Sequence, residues 1–534
     1  MQLGADSAAS NRARRSGRVW KVAYWMLGII LVAHLVPIAA LSTYNFINYE
    51  DSLLVSQVLE KGWLSAAIWV TTNLWVRPSF FLFYTLIIDI SFWFDLSLMS
   101  MQKLAIAVDY VIAIAGLAWL VRVIMPRVPV ALALALSAMA LLATLVSSAS
   151  AANVFADNLL LAWVVTNYLP AMGAYCGALA SFVLLVSRAS GKLPYFLSFV
   201  FFFAWYAGAH DVNPVSGLVL IGLLAVTRIQ MCRSPDATRG VGLPALNVRM
   251  VLEKNSNLVF WALGAATLVV AMLAWLHVSQ PAFEVRKRTS KVMEPLESML
   301  AGASRMADTL PDVYFLNGPL VWVFLLVAAV CARRYGLHPY LAAGNGRLIL
   351  LAPVVVFFAL TFVSFAGIYM QTGQMHARVL HYAGLHMIVA LFCLAAMAGS
   401  SPYIRRVRLV AGRAAVTVGL AAFAVMVGQT PTYSKMYESA VGPGYRFAES
   451  LSRRQDLLEM SRGQDVRFPT FYFFLSHEGG TPVPYTPIVG MIAGSNIADQ
   501  YLAALKQVYG FRDLEIIDCE KMPSARECHY IMVP

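Results

Sequence analysis

A chain of 534 residues that is 59% hydrophobic and 13% charged, with a mean hydropathy of +0.67, carries too much apolar surface for one soluble core to hide. Its formal net charge of +12 does not point to nucleic acid, because much of the Arg and Lys lies in short segments between apolar runs, as topology signals do. What remains is a multi-pass membrane protein.

In chain order, Arg12, Arg14, Arg15, Arg18 and Lys21 precede the first apolar run, Val22–Tyr44. This reads as a retained signal anchor with its N-terminus in the cytoplasm. It delivers Glu50 and Asp51 to the opposite surface, just outside the hydrocarbon. Ser52–Met101 then reads as interfacial or re-entrant helices in a first outer segment. Asp89 and Asp95 would be costly at the bilayer centre, and counting Phe80–Met101 as a span would invert the charge pattern downstream.

Later spans are expected near Leu104–Val121, Val130–Leu145, Ala171–Val186, Pro194–Gly208, Val215–Thr227 and Leu258–Leu276. Further ones follow near Leu320–Val330, Leu348–Ile368, Leu385–Met397 and Ala415–Val427, about eleven in all. The groups Arg122/Arg127, Arg188/Lys192, Arg228 to Lys254, Arg333/Arg334/Arg347 and Arg405 to Arg413 fall in every second connection, in phase with the N-terminal cluster.

An odd number of spans puts the tail outside. Of the cysteines, Cys519 and Cys528 fall there, at a spacing open to a disulfide or to two thiols, whereas Cys176, Cys232, Cys331 and Cys393 fall in spans or on the inner side. The tail reads as a helix, Ile497–Val508, with strands at Arg467–Phe474, Leu514–Ile517 and Tyr530–Val533. The expected fold is an all-α polytopic membrane bundle, N-in and C-out, with interfacial helices in the first outer loop and a small α/β or α+β C-terminal domain. Residues 1–429 form the membrane part and 430–534 the tail, and a bacterial inner membrane with a periplasmic tail is the simplest compartment.

The outer segments carry the candidate chemistry. In the first, Glu50 or Asp51 suits a general base acting on an acceptor hydroxyl, and Arg77 stands further along; an acidic helix cap with an aromatic belt is the plainer account. The second holds Tyr168 at the end of an aromatic string able to stack on a sugar or to anchor at the interface. His210 and Asp211 share a short turn in the third. Arg286 and Arg288 belong to an outward basic cluster that is either a solvated face or attracts anionic headgroups or a lipid-linked phosphate. His376 and Arg378 precede an apolar helix, where a cation is well placed to hold phosphate. There is no P-loop, dinucleotide fingerprint, Gly-x-Ser-x-Gly elbow or His-Glu-x-x-His, and aromatic residues within the spans read as lipid-facing or packing residues.

The layout resembles the GT-C class of membrane glycosyltransferases: an N-in first helix, an acidic pair opening a large first outer loop (here Glu50-Asp51), an interfacial helix (Ser52–Pro78), many further spans, and a C-terminal outer domain (Thr430–Pro534). The usual Asp-Asp is Glu-Asp in this chain, and Asp51 is the favoured base. That resemblance implies inverting transfer of a sugar from a polyprenyl-phosphate donor to a lipid-linked, polysaccharide or protein acceptor. Some members of the class use a divalent metal, Mg or Mn, and others none. Two rival readings are a surface-polysaccharide polymerase or ligase relying on outer arginines, and a transporter of lipid or solute, for which Asp109 is the clearest intramembrane acid.

Overall fold

The computed structural model describes residues 2–43, 49–74, 76–149, 162–187, 191–210, 213–233, 248–280, 295–316, 319–342, 346–361, 377–401, 412–441, 460, 462–469, 506–508 and 510–517. Helices dominate them: α1 (Gln2–Thr43), α2 (Tyr49–Lys61), α3 (Trp63–Asn73), α4 (Pro78–Trp93), α5 (Leu98–Ile124), α6 (Val130–Ala149), α7 (Ala162–Ser187), α8 (Leu193–Ala209) and α9 (Asn213–Arg233). They continue with α10 (Val248–Ser279), α11 (Pro295–Pro311), α12 (Pro319–Tyr335), α13 (Pro339–Ala342), α14 (Arg347–Ala359), α15 (Ala377–Ser400), α16 (Arg413–Gln429) and α17 (Pro431–Val441).

Among the described residues, 6 helices are long and apolar enough to cross a membrane, or up to 8 if each of two bent pairs is one span. The six are Val19–Ala40, Ser100–Ile124, Val130–Ser147, Tyr168–Ser187, Leu258–Ser279 and Tyr382–Ser400. The bent pairs join Leu300–Phe315 to Pro319–Tyr335 at 74° and Arg413–Gln429 to Pro431–Glu438 at 63°. Leu193–Ala209, Asn213–Gly222 and Arg347–Ala359 are apolar but shorter. This is an all-α multi-pass membrane bundle, and the count of about eleven from hydropathy exceeds the helices of full spanning length. The physical reason is that a buried helix needs an apolar surface whether or not it reaches both interfaces. Pro78–Trp93 is another short apolar helix, and it ends in a tight turn where Asp95 takes φ 51 and Trp93 and Phe94 are exposed.

Two compact units divide the chain. One comprises Met1–Val36, Asp109–Val154 and Asn167–Ser434; the other comprises Pro37–Val108, Phe155–Thr166 and Lys435–Pro534. In the second unit, Leu54, Val58, Ala66, Val70, Phe81, Tyr84, Ile88 and Met101 form one core, with Trp63, Trp69 and, from the tail, Val508 packed against it. Lys61 lies 4.8 Å over the Trp69 ring and donates to Gln57 Oε1 at 2.7 Å. The strands β1 (Asp465–Pro469) and β2 (Asp513–Ile517) pair in parallel, Asp465 opposite Asp513. Arg512 bridges Asp465 at 3.1 Å across that pair. Tail residues thus share a unit with the first outer segment.

Inside the first unit, helix ends that the sequence assigns to one face of the membrane touch each other. On the side assigned to the cytoplasm, the Tyr24 and Tyr335 hydroxyls are 3.2 Å apart, and the His338 amide donates to the Ile124 carbonyl at 2.7 Å. Helices α5 and α7 cross at Gly116 and Gly173, where a Cβ on Gly173 would lie 2.6 Å from the Ile112 carbonyl oxygen. Only small residues let two backbones approach so closely in lipid. Gly173→Leu should therefore lower stability by about 1–3 kcal/mol through overpacking, measured as a reduced melting temperature in detergent.

Candidate functional site

Four helices of the first unit each bring two polar or aromatic side chains to one place, in two layers. Residues one or two turns apart lie on the same helix face, so Tyr168/Tyr175 on α7, Tyr206 on α8 with His210 just past its end, Asn213/Ser216 on α9 and Tyr382/His386 on α15 form matched pairs. Helix α8 stops where His210 turns extended (φ −146, ψ 147), and Pro214 suits the restart in the first turn of α9. The Asn213 amide closes that turn on the His210 carbonyl at 3.0 Å.

In the upper layer Tyr168 stacks on Tyr382 with ring centroids 4.6 Å apart, and His210 lies 5.5 Å from both rings. The Tyr382 hydroxyl donates to Asn213 Oδ1 at 2.7 Å. In the lower layer Tyr175 packs 5.0 Å from Tyr206 and 5.2 Å from His386. The Tyr206 hydroxyl stands 2.7 Å from Ser216 Oγ and 3.1 Å from His386 Nε2. Asn213 Nδ2 donates to the Tyr206 carbonyl at 2.6 Å, and His386 Nδ1 faces the Tyr382 carbonyl at 3.1 Å, so the layers are tied together. All of these side chains are buried. Uncharged hydrogen-bonding groups between aromatic faces suit neutral polar ligands better than ions.

On the opposite side of α15, Gly384 makes room for Tyr314, whose ring Cε1 would lie 3.1 Å from a Cβ there. Tyr314 belongs to a π-helical turn, Asp312–Leu316, between α11 and α12. Such turns recur at functional sites.

Of the residues singled out from the sequence, Tyr168 and His210 are brought together here. Arg378 lies in the first turn of α15, one turn before Tyr382. Glu50 and Asp51 lie in the first turn of α2 and belong to the second unit. Arg77 precedes α4 as its half-buried N-terminal residue. Asp211, Arg286, Arg288 and His376 lie outside the described residues, as do Cys519 and Cys528. Cys176, Cys331 and Cys393 are buried thiols.

Sequence reasoning missed Tyr175, Tyr206, Ser216, Tyr382 and His386 as site members. Reading span aromatics as lipid-facing or packing residues leaves out the polar contacts made there, of the Tyr206 hydroxyl with Ser216 and His386 and of the Tyr382 hydroxyl with Asn213. The signal was present as the spacings of four, seven and three within otherwise apolar runs. Among the described residues, no group of three or more His, Cys, Asp or Glu could hold a metal ion. Compared with known protein families, curated proteins and solved structures, the chain matches none.

Proposed function

We propose that this chain is a membrane glycosyltransferase of the GT-C kind, moving a sugar from a polyprenyl-phosphate-linked donor to a lipid-linked, polysaccharide or protein acceptor. The face is the outer one of a bacterial inner membrane. In this reading Asp51, with Glu50 beside it in sequence, takes the proton of the acceptor hydroxyl. The acceptor oxygen then bonds to the anomeric carbon while the bond to the phosphate oxygen breaks, with inversion. The phosphate leaves with the electron pair, its charge offset by Arg378, helped by Arg77 or the Arg286 and Arg288 cluster.

One observation carries the reading: segments chosen from the sequence as outer-face candidates, Tyr168, His210 and the helix opened by Arg378, meet in one buried cluster. The same contacts fit these ends of α7, α8 and α15 lying at one face, because a wrong parity between the three would set them roughly 30 Å apart. Asp109, fully buried within Ser100–Ile124, favours a second reading as a proton-coupled transporter.

Proteoliposomes given a radiolabelled polyprenyl-phosphate sugar and a glycolipid acceptor test these readings. Under the first, label moves to the acceptor, and Asp51→Asn stops it while Arg286→Ala only slows it. Under the polymerase or ligase rival, Arg286→Ala stops it instead. A transporter moves solute across the vesicle wall and leaves the acceptor unlabelled.

A further inference from the structure

Three helices of the first unit bring polar side chains together on the side assigned to the cytoplasm: Tyr24 on α1, Tyr335 at the end of α12 and Arg413 at the start of α16. The two hydroxyls are 3.2 Å apart, and the charge of Arg413 reaches the Tyr24 hydroxyl. Helix geometry sets Arg413 level with Tyr335. Gly419 of α16 abuts Val327 of α12; from that contact Arg413 lies six residues away, about 9 Å, and Tyr335 eight residues, about 12 Å, in the same direction. Tyr24 is buried, whereas Tyr335 and Arg413 are half-buried and within reach of a ligand. Among the described residues the Arg413 guanidinium makes no hydrogen bond or ion pair.

The chain offers this face few anions of its own. Inner connections 122–129, 188–193, 333–347 and 401–413 hold eleven Arg and Lys and no Asp or Glu, and Asp6, Asp236 and Glu253 in the other inner segments leave a large positive excess. A phosphate supplies what is missing, because it pairs with a guanidinium and accepts hydrogen bonds from phenols. We propose that Tyr24, Tyr335 and Arg413 bind the phosphate of an anionic phospholipid in the cytoplasmic leaflet. Such headgroups are drawn to basic pockets between helices on that side. The neighbouring surface of α1 favours a lipid over a free phosphate. Lys21, Trp25, Ile29 and Val32 form an exposed stripe at helical spacing beside buried Tyr24, with a cation at headgroup level and apolar side chains along the path of an acyl chain. The inference does not rest on the transferase reading.

The test follows the melting temperature of the full-length protein in detergent during titration with phosphatidylglycerol, with phosphatidylcholine of the same chains, and with inorganic phosphate. It measures no transfer, so its outcome is separate from that of the vesicle assay. Phosphatidylglycerol should raise the wild-type melting temperature by about 2–4 °C at saturation. Phosphatidylcholine, whose choline cancels the phosphate charge, should not, and neither should inorganic phosphate. Arg413→Gln should need about tenfold more phosphatidylglycerol for half the rise, and Tyr335→Phe about threefold more. Arg347→Gln removes a cation from the same face on α14, which packs against α9 and α15, and should titrate as wild type does. Equal rises with both lipids overturn the proposal without recourse to any variant. Coincident titrations of Arg413→Gln, Tyr335→Phe and Arg347→Gln overturn it too, since they reduce the effect to diffuse attraction by the whole face. A rise of the same size with inorganic phosphate overturns the lipid assignment in favour of a soluble phosphate compound.

Discussion

Asp51→Asn should reduce sugar transfer by about a hundred- to ten-thousand-fold, the range usual for loss of a general base. The substitution separates chemistry from structure. Asp51 stands in the first turn of α2, where an acid is favourable near the helix N-terminus for structural reasons alone. Asp51 is the third residue of α2, so Asn there loses only the attraction of its charge to the helix dipole, about 0.3–1 kcal/mol, and a purely structural Asp51 predicts nearly unchanged activity. Loss of transfer with an unchanged melting temperature therefore identifies a base. Glu50→Gln decides between the two neighbours: a change within about tenfold leaves Asp51 as the base, and a larger one shifts the role to Glu50. Initial rates at saturating donor, with melting curves on the same preparations, make the comparison.

The bundle was legible because the bilayer imposes a strong local rule. Long apolar runs such as those at Val130–Ser147 and Tyr168–Ser187 announce themselves without any knowledge of neighbours. The phase of the basic connections carried long-range information, and the contacts of Tyr24 with Tyr335 and of Tyr168 with Tyr382 agree with it. Strand positions in the tail were readable from local composition, since β1 overlaps the stretch expected to begin at Arg467 and β2 contains Leu514–Ile517. Their parallel pairing was not, because register depends on segments far apart in sequence.

The polar-aromatic cluster was half legible for a related reason. His210 stood out because it is an ionisable group at a turn between two apolar runs. Tyr206 and His386 did not, because each lies within a helix of mostly apolar residues. Whether such a side chain faces lipid or a partner is decided by helix rotation, which hydropathy does not encode. The hydrogen bond between them, 180 residues apart in sequence, exists only once α8 and α15 have packed.

Tyr382 holds the cluster together, and removing it should be the most costly single truncation there. Its ring stacks on Tyr168 and His210, its hydroxyl serves Asn213, and its carbonyl faces His386. Tyr382→Ala leaves a cavity among buried rings and strands the Asn213 oxygen, so a loss of about 3–5 kcal/mol is expected. Tyr382→Phe keeps the ring and removes one hydrogen bond, at about 1–2 kcal/mol. The two variants distinguish a packing role from a site role. If the cluster merely fills space, transfer should track stability, with Tyr382→Phe nearly fully active. If its polar groups form the floor of the donor site below Arg378, Tyr382→Phe should lose transfer out of proportion to its small stability cost. That loss should lie mainly in kcat/KM for the lipid-linked sugar, because the displaced Asn213 side chain alters donor binding while the proposed base at Asp51 is untouched.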